Sequence, residues 1–228
     1  MNLKTFLLCS LIFIFTSSCS GTYLSYYQTI KLAFKEQVDA KKTLVEVQDS
    51  VFDLIYVKRG ERPRALMGLV AIEENQYKWI SSDNAMLIME NGRITRTLGL
   101  DENLLYLSNT DIDPLKTLPL SLNNEAKIPI WSRIADRTGD EYGYPIESTF
   151  SQAQQSTVQV LDLDIETLMY IETVNYKAPA NYIRLHRSWE NQYWYTKSGT
   201  LVKSIQKISP MSEALEITFL SQIARLQQ

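Results

Sequence analysis

Cysteine is nearly absent from this chain. Its 228 residues hold two, Cys9 and Cys19. A secreted domain stapled by disulfides carries an even set of cysteines in its mature part, so that class is excluded. Histidine is scarcer still, with His186 alone. One histidine and no thiol cluster cannot assemble a zinc set of the usual kind. A Ser-His-Asp site would have to use His186. The alternation of residues 181–189 puts that side chain on the solvent side, and no Gly-x-Ser-x-Gly elbow accompanies it. No glycine-rich phosphate loop is present, which removes nucleotide cofactors of that kind. A basic excess is lacking as well. Lys and Arg number 23 against 26 acids, giving a formal net charge of −3 and no long basic stretch to suggest nucleic acid. Asp111, Asp113 and the acids of 136–141 offer oxygen ligands without calcium-loop spacing. We therefore expect no metal and no cofactor. A glycosidase pair of carboxylates has no specific signature here.

Long apolar runs are also missing. The longest spans residues 6–15, too short to cross a bilayer, which takes about 20 apolar residues. It follows Lys4 and leads to Thr16, Ser17 and Ser18 before Cys19. Charge, apolar stretch and small-residue exit make a secretory signal peptide of residues 1–18. Thr-Ser-Ser-Cys resembles a bacterial lipobox, with Thr16 where an aliphatic residue is commoner. The Cys19 sulfur is then the expected lipidation site. Each buried acyl methylene contributes about 0.8 kcal/mol, so several chains hold a protein almost irreversibly. Ser20, standing where an Asp would signal retention in sorted bacterial lipoproteins, implies the outer membrane by the same resemblance.

Aromatics are plentiful, with 13 Tyr, 7 Phe and 4 Trp, and they favour strands. Residues 19–44 read as a lipidated tether and an amphipathic helix, because Tyr23, Tyr26, Tyr27, Ile30 and Phe34 fall at helical spacing. Residues 45–228 read as one antiparallel β domain. Strands are expected at 51–57 and 65–72, around Tyr77 and Trp79, and at 85–90 and 93–98. Asn91-Gly92 between the last two is a strong hairpin signal. An irregular stretch covers 108–127. Further strands are expected at 145–150, 157–165, 167–177, 181–190, 192–196 and 200–208, and a short helix after Pro210. Leu168, Tyr170, Val174 and Tyr176 share one face. The expected fold is mainly β, an antiparallel β-sandwich or barrel-like domain with an N-terminal amphipathic helix.

Two arginines and an aromatic cluster are the candidate contacts. Strict alternation puts Arg96 with Ile94 and Leu98 on the apolar face, and Arg93 toward solvent. A buried Arg96 would need a carboxylate such as Glu172, or else would serve an anionic glycan. Trp189, Tyr193, Trp194 and Tyr195 could stack on sugar rings or fill the core. Alternation leaves Tyr193 and Tyr195 on the side opposite Trp194.

These segments resemble the YjbF/GfcB family of group 4 capsule and exopolysaccharide lipoproteins. One block runs from Glu90 through Asn91-Gly92-Arg93-Ile94-Thr95-Arg96-Thr97-Leu98 to Gly99-Leu100, where the family has a Gly-Arg-Ile hairpin followed by Arg-Thr and Gly-Leu. The other holds Trp189-Glu190-Asn191-Gln192-Tyr193-Trp194, then Ser198-Gly199, Lys203-Ser204-Ile205-Gln206 and Ser209-Pro210. Glu172 falls where the family has an acid before that block. Tyr195-Thr196 departs from the family's Val-Asp, and its Lys-Pro ending is missing. The resemblance implies an outer-membrane lipoprotein facing the periplasm. It implies a non-enzymatic accessory factor whose partners are polysaccharide-export proteins or the polysaccharide itself, with no catalytic residues. Two other readings remain open: a periplasmic lipid or lipoprotein carrier with an apolar β cavity, and a polysaccharide-modifying enzyme with two acids converging in a cleft.

Overall fold

The computed structural model describes residues 38–118, 128–139, 142–177 and 187–227. Cys19, the helix expected over Tyr23 to Phe34, and His186 lie outside the described residues.

The Asn-Gly turn is where expected. Asn91 and Gly92 take φ of 49° and 83°, the left-handed pair that a tight hairpin turn requires. It joins β4 (Met86–Glu90) to β5 (Arg93–Leu98). With β1 (Leu54–Arg59), β2 (Ala65–Glu73) and β3 (Gln76–Ser81), these strands form a five-stranded antiparallel meander. The second series is β6 (Leu104–Leu107), β7 (Trp131–Arg137), β8 (Pro145–Phe150), β9 (Gln154–Val160), β10 (Leu163–Tyr176), β11 (Ser188–Tyr195), β12 (Leu201–Gln206) and β13 (Leu215–Thr218). A helix of five residues, α1 (Leu44–Gln48), precedes β1, and α2 (Leu220–Arg225) follows β13. The short helix expected after Pro210 is α2, with β13 between them. Strand β13 pairs with β1 and so joins the two series.

The resulting sheet runs β5-β4-β3-β2-β1-β13-β12-β11-β10-β8-β7-β6 and curls until β5 packs beside β6. This is a nearly closed, barrel-like antiparallel sheet. The seam between β5 and β6 is held by side chains. Leu104 N donates to Thr97 Oγ1 at 2.9 Å, and Thr97 Oγ1 donates to Asn103 Oδ1 at 3.3 Å.

One irregularity decides which side chains enter the barrel. Met89 lies opposite Ile94, but Ile88 lies opposite Arg96, so Thr95 is an extra residue in β5. A bulge of this kind reverses the inside–outside phase of everything beyond it. Arg93, Ile94, Thr95 and Thr97 are buried, whereas Arg96 and Leu98 are exposed. The positions expected for the two arginines are thereby exchanged: Arg96 does not share the apolar face, and Arg93 does not face solvent.

The interior is filled by large side chains from both series, among them Trp131, Tyr193, Tyr195, Leu87 and Ile217. Along β10 the shared face of Leu168, Tyr170, Val174 and Tyr176 does turn to this core. A second layer covers the outside. The single strand expected over 157–165 is instead broken by a hairpin turn, because Leu161 and Asp162 take φ of 52° and 60° and turn β9 into β10. Val158 and Ile165 of that hairpin pack on Trp194, Val202 and Ile223. Next to them Leu220 and Ala224 of α2 meet Val47, Leu54 and Tyr56.

Candidate functional site

Glu172 stands among apolar neighbours on the inward face of β10, and it is completely buried. A carboxylate taken out of water needs partners for both oxygens. Neighbouring strands supply them. Oε2 accepts from Arg93 Nη1 at 2.8 Å, Asn191 Nδ2 at 2.9 Å and the Tyr193 hydroxyl at 3.1 Å. Oε1 accepts from Arg133 Nη2 at 3.2 Å and from the Ser148 hydroxyl. Asn191 is the residue directly across from Glu172 on β11. Ser148 also accepts from Arg133 Nη1 at 2.6 Å.

Arg93 completes the cluster at the seam. Its Nε and Nη2 donate to the two oxygens of Asp113, the second at 3.1 Å. Asp113 in turn accepts from Leu115 N at 3.0 Å and starts the short 3-10 turn Pro114–Lys116. The side-on fork is the geometry in which a guanidinium binds a carboxylate most strongly. The Trp131 ring lies 4.5 Å from the Arg93 guanidinium and 3.9 Å from that of Arg133. Two arginines and two acids therefore balance in the cluster. Arg133 Nε is the one member nitrogen without a partner. Gln206 extends the network to the hairpin. Its Oε1 accepts from Ile94 N at 3.1 Å, and its Nε2 donates to Gly92 O at 2.7 Å.

Electrostatics fix the charge states. Burial would push the Glu172 carboxyl up, but Arg93 and Arg133 beside it overcome this and hold it at about 2. Burial pulls Arg133 down to about 10, helped by the like charge of Arg93 and opposed by Glu172. Burial pushes the Tyr193 phenol well up. Near neutral pH these groups keep fixed charge states. A general acid or base works best when its pKa lies near the working pH, and none of these does. What the cluster does is hold elements together: β5, β7, β8, β10, β11 and the 3-10 turn after Asp113 meet in it, across the seam that lacks a backbone ladder.

The candidate contacts scatter. Arg93 and Tyr193 come together in the cluster. Trp189 is buried beside Tyr176, with ring centroids 5.4 Å apart, and its Nε1 donates to Lys207 O. Trp194 faces the opposite way, as expected from alternation. It packs under the β9–β10 hairpin, with Lys203 Nζ 5.3 Å from its ring. Arg96 is exposed and apart from all of them. Arg133, Asp113, Ser148 and Asn191 were missed by the sequence reading. A signal existed for one: Trp131, Arg133, Ala135 and Arg137 alternate, which puts arginines on the face of a tryptophan.

Comparison with known proteins fits this architecture. The family model described as group 4 capsule polysaccharide lipoprotein gfcB, YjbF, matches residues 27–220. The uncharacterized lipoprotein GfcB of Escherichia coli strain K12 is 27% identical over 217 residues, covering 94% of this chain and 97% of that protein. The uncharacterized lipoprotein YjbF of the same strain is 26% identical over 165 residues, 71% of each chain. The crystal structure of the hypothetical lipoprotein YmcC from Escherichia coli K12 superposes with a TM-score of 0.67 at 28% identity, covering 85% of this chain and 93% of that one.

Proposed function

Because the chain belongs to the group 4 capsule polysaccharide lipoprotein family, YjbF, we propose that it is a non-enzymatic accessory factor of capsule or exopolysaccharide assembly and export. It is held by lipid at Cys19 on the periplasmic face of the outer membrane. The observation that carries this reading is the family match over residues 27–220, which includes both sequence blocks. The signal-like residues 1–18 and the lipobox support the anchor, and Ser20 supports the outer membrane. The buried ion cluster supports a scaffold role, since its ionisable groups are engaged with one another.

Two experiments test the proposal. Cys19→Ser should release the protein from the membrane fraction into the soluble periplasm, and retention in the membrane would refute the anchor. Deleting the gene should lower surface polysaccharide, measured on washed cells, with restoration by the wild-type gene. Unchanged polysaccharide would remove the capsule role. Cleavage or modification of the polysaccharide by purified protein would show an enzyme instead.

A further inference from the structure

Strand β9 is bonded on one side only. It pairs with β10 in unbroken register, from Gln154 opposite Met169 to Val160 opposite Leu163. Among the described residues no strand pairs with its other edge. The two-residue turn Leu161-Asp162 has positive φ at both positions, which makes Val160 and Leu163 a hydrogen-bonded pair. Bonded and unbonded pairs alternate along antiparallel strands. Val160, Val158, Ser156 and Gln154 therefore turn their backbone groups to β10, and Gln159, Thr157 and Gln155 turn theirs away. These last three residues are exposed, and no other described backbone group bonds to them. Native sheets guard such edges with lysine, proline, a bulge or a covering element. Strand β9 reads Gln-Gln-Ser-Thr-Val-Gln-Val, with no charge, no proline and no bulge.

A groove of about 590 Å³ runs along β9 from Ser156 to Asp162, with Tyr56, Trp194 and Thr218 from the outer face of the barrel among its lining residues. Donors and acceptors that recur every second residue, about 6.8 Å apart, are matched by the backbone of another strand. An acyl chain or a sugar carries no such repeat. Lys41–Thr43 and Arg64 also bound the groove, so it admits one added strand more readily than the β9–β10 hairpin of a second copy. Its charges narrow the partner. Lys42 and Lys203 are paired with Glu46 and Glu216 at 3.0 and 2.9 Å. The Arg64 guanidinium meets only the Ala40 carbonyl and the Tyr56 ring, and Lys41 has no acidic partner among the described residues. These two cations outnumber the one unpaired acid of the groove, Asp162, so an acidic residue on the added strand is favoured. We propose that β9 is a docking edge, to which an extended, acidic segment of a partner protein adds as a further strand through the backbones of Gln155, Thr157 and Gln159. The proposal rests on this edge and its groove, not on the capsule reading above.

The test uses the full-length protein in detergent and the peptide acetyl-Glu-Thr-Val-Thr-Val-Thr-Glu-amide, with chemical shifts and amide hydrogen exchange followed by NMR. Without peptide, the amides of Gln155, Thr157 and Gln159 should exchange fast and those of Ser156 and Val158 slowly. The peptide should slow the first set with a Kd of order 1 mM, the range of a few backbone hydrogen bonds. N-methylation of its threonines and valines keeps the side chains, removes the donors and should weaken binding at least about tenfold. Thr157→Pro removes an outward N–H and no bond to β10. It should weaken binding about as much with an unchanged urea midpoint, whereas Thr157→Val should bind as wild type does. Unchanged exchange at about 5 mM peptide, equal binding of the N-methylated peptide, or wild-type binding by Thr157→Pro would each overturn the proposal. A dimer in sedimentation whose Thr157 amide is already slow would give the edge to a second copy and overturn it too. Loss of capsule on gene deletion together with no peptide binding would leave the accessory role standing and remove only this edge. Peptide binding with unchanged capsule would do the reverse.

Discussion

The charge cluster around Glu172 and a cavity beside Trp79 sit in one barrel and treat buried polar atoms in opposite ways. In the cluster, both oxygens of Glu172 and both oxygens of Asp113 are engaged, and Arg133 Nε is the single nitrogen left over. Beside the cavity, Trp79 Nε1 and the Tyr195 hydroxyl are sealed in the protein without a hydrogen-bond partner. Saturation means that the first region gains nothing further from a ligand and loses much if a member is removed. Its task is to close the seam between β5 and β6. The second region bears the cost of two unmade hydrogen bonds.

The largest break in this contrast should come from Arg93→Ala. It leaves Asp113 and Glu172 buried with one arginine between them, and unpairing a buried charge costs about 3–5 kcal/mol. Urea unfolding should show that loss, and a change under about 1 kcal/mol would mean the cluster does not hold the seam. Acid should act on the same group. Folded Glu172 sits at about 2 against an ordinary value of 4.5. A depressed folded pKa stabilises above the unfolded value, and the contribution fades as pH falls from about 4.5 through about 2. The stability gap between wild type and Glu172→Gln should therefore be constant above that window and shrink within it. A gap that grows on acidification would reverse the assigned sign. The smallest effect belongs to Arg96→Ala. That side chain is exposed, so unfolding should shift by no more than about 0.5 kcal/mol. A cost equal to that of Arg93→Ala would put the bulge at Thr95 in question.

What was legible in the sequence follows the reach of local rules. Asn91-Gly92 announces a turn because its backbone demand is met within two residues. The opposed faces of Tyr193 and Trp194 follow from period-two alternation along an unbroken run. The arginines of β5 were misplaced because a bulge is a pairing event. Thr95 is extra only relative to β4, and nothing in Arg93 to Leu98 alone reveals it. Asp113 looked like one acid in a polar loop. Its partner Arg93 lies 20 residues away, and the two meet only once the seam closes. Strands β6 and β7 went unread: β6 has four residues, and β7 carries arginines on its inward face, a pattern that imitates a solvated strand. The strand expected over 157–165 runs through a turn that escapes a reading by residue type, because it uses Leu161 and Asp162 rather than glycine or asparagine.

The most direct measurement is a paired urea titration of Glu172→Gln and Tyr195→Phe at neutral pH without ligand. Glu172→Gln should lose about 3–5 kcal/mol, because buried Arg133 loses its carboxylate and Arg93 keeps Asp113 alone. Tyr195→Phe, which removes an unpartnered hydroxyl, should be neutral or gain up to about 1 kcal/mol. A Glu172→Gln protein as stable as wild type, or a Tyr195→Phe loss matching that of Glu172→Gln, would contradict the division between a saturated cluster and an unsatisfied region.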